Sequence, residues 1–185
     1  MRAFGVAELL GERLKRVVEK PGLPPSNLAV IGVYAFSAAV FEVIAKQAPS
    51  ARGELEVADA INGLLATGTV TSTVTNAFWI DTGKMEDILA ANRAMLDALP
   101  MGCAPSAVLS HTTVSGVVEI GPGAVLEGCT VRGPVSIGAG AMLTNSSVGP
   151  HLSIGARCEF RSVNIQNSIV MEGTRIERSP GILDS

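Results

Sequence analysis

The chain has 185 residues, enough for one large domain or two small ones, and 47% of them are apolar, mostly Ala, Val, Ile and Leu with only 4% aromatic. A net charge of −3 offers no basic face to nucleic acid, and no apolar run reaches membrane-spanning length. Met1 to Lys20 mixes charge with apolar residues from the start, unlike a signal peptide, and Cys103, Cys129 and Cys158 lack CxxC spacing, which suits a reducing cytoplasm better than a disulfide scaffold.

Phe4 to Leu9 reads as a strand, Gly11-Glu12 as a turn, and Arg13 to Lys20 as a second strand running into the Pro-rich loop Pro21 to Pro25. Leu28 to Phe36 is a continuous apolar run of the buried-strand kind. Ser37 stands as a helix N-cap before Val40, Phe41 and Ile44 at helical spacing. After a loop through Pro49, a second helix carries Val57, Ile61, Leu64 and Leu65 and ends near Gly68. Thr69 to Ala77, rich in Thr and Val, reads as a strand. Phe78 to Gly83 is a turn opening a third helix that buries Met85, Ile88, Leu89, Met95 and Leu96 and stops at Pro100.

From Val108 to Ile182 the pattern changes. Aliphatic residues recur at steps of six with an occasional five, and Gly often follows, as in Ile120-Gly121, Ile137-Gly138 and Ile154-Gly155. Neither the 3.6 period of a helix nor the alternation of a sandwich strand produces this spacing. A coiled β-solenoid does, with one inward aliphatic per short strand and Gly in the turns, where it adopts conformations closed to other residues. Five-residue steps after Leu126, Leu143 and Phe160 give a three-sided prism. Each buried aliphatic contributes about 1.5–3 kcal/mol.

Four short stretches before residue 84 carry candidate chemistry. Lys20, in Glu19-Lys20-Pro21, taken alone is a solvated cation, and the run Asn27 to Tyr34 taken alone is a core strand. Arg52 precedes a helix N-terminus, where backbone N–H groups and the macrodipole also attract anions, although a surface Arg fits equally. Asp81 fits both a helix N-cap and a ligand for a hard cation.

The strings FGVAEL, VEKP, SNLAVIGVY, PSARGELEVADAIN and FWIDTGKMEDILAANR, in this order, resemble the sugar-1-phosphate nucleotidyltransferases, most closely the long-form glucose-1-phosphate thymidylyltransferases. The hexapeptide repeat resembles the left-handed parallel β-helix that follows the catalytic domain in that family, and the likeness covers nearly the whole chain. The expected fold is therefore a partial α/β nucleotidyltransferase domain (1–99), a linker (100–106) and a left-handed β-helix (107–185). The handedness comes from the resemblance, since generic crossover rules favour right-handed connections.

The resemblance implies roles as well. Gly5 would let the backbone approach the sugar, Glu19 would accept hydrogen bonds from sugar hydroxyls, and Val30 would line the sugar pocket. Lys20 and Arg52 would pair with the phosphate of a sugar 1-phosphate, and Asp81 would be one of two carboxylates on Mg²⁺. The second substrate would be a nucleoside triphosphate, with possible homo-oligomers and a cytoplasmic location. Phe4 stands where the family more often has Tyr, which removes a hydroxyl.

The family's Gly-rich G-x-G-T-R-L loop, its Lys signature and its second metal-binding Asp have no counterpart in this sequence. The opening strand has no preceding βα unit and the last coil carries no polar cap, so the sequence reads as cut at both ends and as inactive by itself. Two other classes compete. A hexapeptide acyltransferase would use His111 or His151, although the repeat runs through without the inserted loop such enzymes commonly carry. A non-catalytic assembly module would use the open coil edges for oligomers.

Overall fold

Val6–Leu10 (β1) and Arg13–Val18 (β2) form an antiparallel hairpin, turned at Gly11 with φ +62°. This is the topology expected for the first two strands. The computed structural model describes residues 1–68 and 70–185, and the chain divides into two units, Met1–Trp79 and Ile80–Ser185.

The first unit completes itself with two helices, Ala39–Ile44 (α1) and Val57–Thr67 (α2). Helix α2 buries Ala58, Ala60 and Ile61, and Ala58 and Ile61 close with Val17 over a small core. Polar bonds fix the same contact. The Val17 N–H donates to Asn62 Oδ1 at 2.9 Å, and Asn62 Nδ2 donates to the Val17 carbonyl at 2.8 Å. Gly63 allows α1 to lie close, because a Cβ there would clash with the Val43 side chain.

Several elements differ from expectation. The run Leu28 to Phe36 is not a continuous strand. It meets β1 through one isolated bridge, Val6 to Ala29, and then leaves at Gly32, whose φ of +78° turns the chain out of line. Val33 is consequently 82% exposed. The N-cap of α1 is Ala38, not Ser37, and no side chain caps it. Residues 70–77 form no strand, and Thr69 lies outside the described residues. Thr and Val favour strands only where a partner edge accepts them.

The second unit begins with Met85–Asp97 (α3). The sequence assigned this helix to the first domain, ending at 99, whereas its side chains meet the solenoid: Ser153 Oγ donates to Asn92 Oδ1 at 2.5 Å and Arg93 Nε donates to Asn167 Oδ1 at 2.5 Å. Leu89 and Leu96 are buried as expected, but Met85 and Met95 are more than half exposed. One narrow stripe suffices for a helix that packs on a single flat face.

The solenoid is three five-stranded parallel sheets that share one interior, the left-handed β-helix of the sequence reading. Leu126 pairs with Leu143, and Leu143 with Phe160, so identical faces stack rung upon rung. Leu126, Val131, Ile137, Leu143, Val148 and Phe160 are almost completely buried. Cys129 and Cys158 belong to this core, and burial pushes the Cys129 thiol pKa up. The register corrects the start of the repeat: Leu109, not Val108, aligns with Leu126. Gly102–Cys103, placed in the linker by sequence, pairs with Val118–Ile120 and supplies a face of the first rung. Gly138 shows why the turns need glycine, since a Cβ there would stand 2.5 Å from the Ala156 backbone nitrogen of the next rung.

Candidate functional site

The hairpin brings the first candidates together. Gly5 is buried, and a Cβ on it would lie 3.0 Å from Glu19 Oε2 and 3.6 Å from Val30 Cβ. Backbone bonds hold the three strings in place: the Val30 N–H donates to the Gly5 carbonyl at 2.8 Å, and the Lys20 N–H donates to the Phe4 carbonyl at 3.1 Å. Phe4 sets its ring against Trp79 edge to face, with centroids 5.4 Å apart. Any side chain larger than a hydrogen at position 5 would therefore press directly on the Glu19 carboxylate.

Lys20 sits at the bend beyond β2 with φ +40°. Positive φ is uncommon for a residue with a long side chain, and such strain tends to concentrate where geometry serves a site. Its side chain is exposed and makes no ion pair among the described residues.

Arg52 arrives from a tight loop before α2. The loop is closed by the Gly53 N–H donating to the Ser50 carbonyl and the Ser50 N–H donating to the Glu54 carbonyl, both at 2.8 Å. The guanidinium then meets three carboxylates. Arg52 Nη2 donates to Glu54 Oε2 at 2.7 Å, while Nη1 lies 3.6 Å from Glu56 Oε1 and 3.8 Å from Glu19 Oε1. Gly5, Glu19, Val30 and Arg52 thus form one connected set.

Sequence reasoning assigned no role to three participants. Ser50 donates through its hydroxyl to Glu56 Oε1 at 3.0 Å and accepts from the Arg52 N–H at 3.1 Å. Glu56 keeps only 10% of its side chain exposed. Tyr34 comes near enough to Glu19 for the carboxylate charge to act on its hydroxyl: burial raises its pKa above the usual value, and Glu19 adds in the same direction. All three fall inside the family-like strings, yet no spacing rule distinguishes them from their neighbours.

Asp81 belongs to the second unit. It is exposed and is not the N-cap of α3, a place taken by Lys84. No group of three or more His, Cys, Asp or Glu among the described residues is arranged to hold a metal. Asp81 alone fits one oxygen ligand of a hard cation that takes its remaining oxygens from substrate and water. Of the two histidines considered for acyl transfer, His111 is exposed, whereas His151 Nε2 lies 3.1 Å from Asp97 Oδ1.

Residues 1–98 match the nucleotidyl transferase family model. This chain belongs to that family. Curated relatives agree. A low-salt glycan biosynthesis nucleotidyltransferase, Agl11, of Haloferax volcanii is 44% identical over 119 residues, which is 63% of this chain and 33% of that protein. A glucose-1-phosphate thymidylyltransferase of Streptomyces griseus is 45% identical over 104 residues, 55% of this chain and 29% of that protein. A bifunctional sugar-1-phosphate nucleotidylyltransferase/acetyltransferase of Sulfurisphaera tokodaii is 34% identical over 118 residues, 63% of this chain and 29% of that protein. The chain thus spans about a third of the length of the curated relatives it matches. No helix among the described residues is long and apolar enough to cross a membrane.

Proposed function

We propose that this nucleotidyltransferase chain carries the sugar-phosphate half of a glucose-1-phosphate thymidylyltransferase site. The observation that carries the reading is the convergence of Gly5, Glu19, Val30 and Arg52, with Glu19 Oε2 only 3.0 Å from where a Gly5 Cβ would stand. Glu19 accepts hydrogen bonds from sugar hydroxyls, and the bare backbone at Gly5 admits the ring. Val30 supplies an apolar wall. Arg52 and Lys20 hold the phosphate, Arg52 through a planar fork suited to two oxygens and Lys20 as a point charge. The choice of thymidine rests on the Streptomyces griseus relative.

In the full reaction an oxygen of the sugar phosphate attacks the α-phosphorus of the triphosphate. One P–O bond forms, the α–β P–O bond breaks, and pyrophosphate leaves. These residues contribute by positioning the attacking phosphate and offsetting its charge. Mg²⁺ would supply charge neutralisation on the triphosphate, with Asp81 as this chain's ligand. The loop that cradles the triphosphate in the family has no counterpart among the sequence motifs, so the reading assigns sugar-phosphate binding to this chain and no turnover by itself.

Calorimetric titration of the purified chain with glucose 1-phosphate tests the binding half. Binding that weakens at least tenfold in Glu19→Ala and in Arg52→Ala is expected, and a folded chain that ignores glucose 1-phosphate overturns the reading. Pyrophosphate release with glucose 1-phosphate, thymidine triphosphate and Mg²⁺, set against Asp81→Asn, tests the other half. Release that disappears in the variant would show turnover and overturn the claim of inactivity.

A second reading has one observation in its favour. The His151–Asp97 pair is the arrangement of a general base with its orienting carboxylate, and the Sulfurisphaera tokodaii relative is named in part an acetyltransferase. Acetyl transfer from acetyl coenzyme A that is lost in His151→Ala would favour it.

A further inference from the structure

Arg52 is surrounded by more negative charge than a phosphate-binding residue needs. Its three carboxylate neighbours are not equivalent. Glu54 makes the shortest contact, 2.7 Å, but its side chain is 60% exposed and only two residues away. Glu56 stands farther, at 3.6 Å, yet its side chain is 10% exposed and is fixed by the Ser50 hydroxyl at 3.0 Å. Glu56 is anchored in its backbone too, as the N-cap residue of α2 whose carbonyl accepts from Gln47 Nε2 at 2.7 Å. One carboxylate is a fixture, and the other is free to leave.

We infer that Glu56 is a positioning residue for Arg52, holding the guanidinium beside Glu19, while the exposed Glu54 carboxylate occupies the face of Arg52 that an incoming phosphate takes over. The inference rests on the sugar-phosphate reading above. Its physical content is an anion exchange. Glu54 Oε2 accepts from Nη2, so a phosphate oxygen that takes that same N–H displaces Glu54. An exposed pair of this kind is weak, and its loss is easily offset by a dianion. The fixed Glu56 lies nearest Nη1 and does not compete for that N–H. It limits where the fork can point, and so lowers the ordering cost of binding.

Two measurements on the purified chain test this. The first is calorimetry with glucose 1-phosphate on Glu54→Gln, Glu56→Gln and Arg52→Ala, and on each glutamine variant combined with Arg52→Ala. Glu54→Gln is expected to bind about two- to fivefold tighter, the range of an exposed ion pair. Glu56→Gln keeps an acceptor for Ser50 and is expected to bind roughly tenfold weaker, and neither substitution should have any effect once Arg52 is Ala. Weaker binding by Glu54→Gln, or an effect of Glu56→Gln that persists in the Arg52→Ala background, overturns the inference. The second is ¹⁵N relaxation of the Arg52 Nε–H without ligand. Glu56→Gln should release the guanidinium and Glu54→Gln should not. An Arg52 equally ordered in Glu56→Gln overturns the positioning role whatever the calorimetry shows. A wild-type chain that binds no glucose 1-phosphate, with Arg52 released as expected in Glu56→Gln, overturns the sugar-phosphate reading alone.

Discussion

The two units bury their apolar residues in opposite styles. The solenoid stacks one inward residue per face in a continuous column, and Leu126, Leu143 and Phe160 follow one another along a single sheet. The first unit gathers Val17, Ala58 and Ile61 from separate elements, and large apolar side chains such as Leu23, Val33, Phe41 and Phe78 remain well over half exposed. A repeat needs only its neighbours in the column, so its stability is close to a sum over rungs. A core assembled from distant strings depends on each tie between them. The comparison predicts that the solenoid tolerates polar change outside and little inside, while the first unit depends on a few specific hydrogen bonds.

The largest expected effect is in the column. Phe160→Ala removes its largest fully buried side chain and should cost about 3–5 kcal/mol by urea denaturation. A smaller loss would mean that the rungs collapse around the gap, which would break the contrast with the first unit. Gly138→Ala drives a Cβ into the backbone of the following rung and should cost about 1–3 kcal/mol in the same assay. In the first unit, Asn62→Ala removes both bonds between α2 and Val17 on β2. A loss of about 1–2 kcal/mol is expected, together with faster exchange of the Val17 amide, which loses its acceptor.

The smallest effect is electrostatic. Bonds from Lys15, and then from Arg16, hold the Glu8 carboxyl below its usual pKa. A carboxylate with a depressed folded-state pKa stabilises the fold above its unfolded value, and the contribution is lost as pH falls through the folded value. Glu8→Gln should therefore lower stability slightly near neutral pH, leave it unchanged well below the folded pKa, and flatten that small part of the acid dependence. An acid transition identical in wild type and variant would show that the hairpin does not use these charges.

The same contrast explains what was legible in the sequence. The solenoid could be read because its period is a local property: residues a coil apart in sequence are neighbours in space. Even there the first rung was misplaced by one, at Val108 rather than Leu109, because two adjacent aliphatics satisfy the pattern and only pairing with Leu126 chooses between them. In the first unit, composition misled. Leu28 to Phe36 has strand composition, but Gly32 takes the chain away from β1 after Val30. The family-like strings located Gly5, Glu19, Val30 and Arg52, which the fold brings together. They were silent on Ser50, Glu56 and Tyr34, whose significance comes from distances across the loop and hairpin that no residue spacing encodes. Asp81 passed the sequence test as an N-cap, and the helix starts four residues later, at Met85.

The pairing of the central rungs has a consequence for their length. Leu126, Leu143 and Phe160 stack directly, at sequence numbers seventeen apart. Deleting one full coil at that spacing would join a rung to the next-but-one and leave every column in register. Deleting one or two residues inside a strand would turn an inward aliphatic outward on one face and misalign that face with those above and below. Length inside the strands is therefore fixed, and small changes can be accommodated only at a corner, as in the last coil, where Val170 pairs with Ile154 sixteen residues before it.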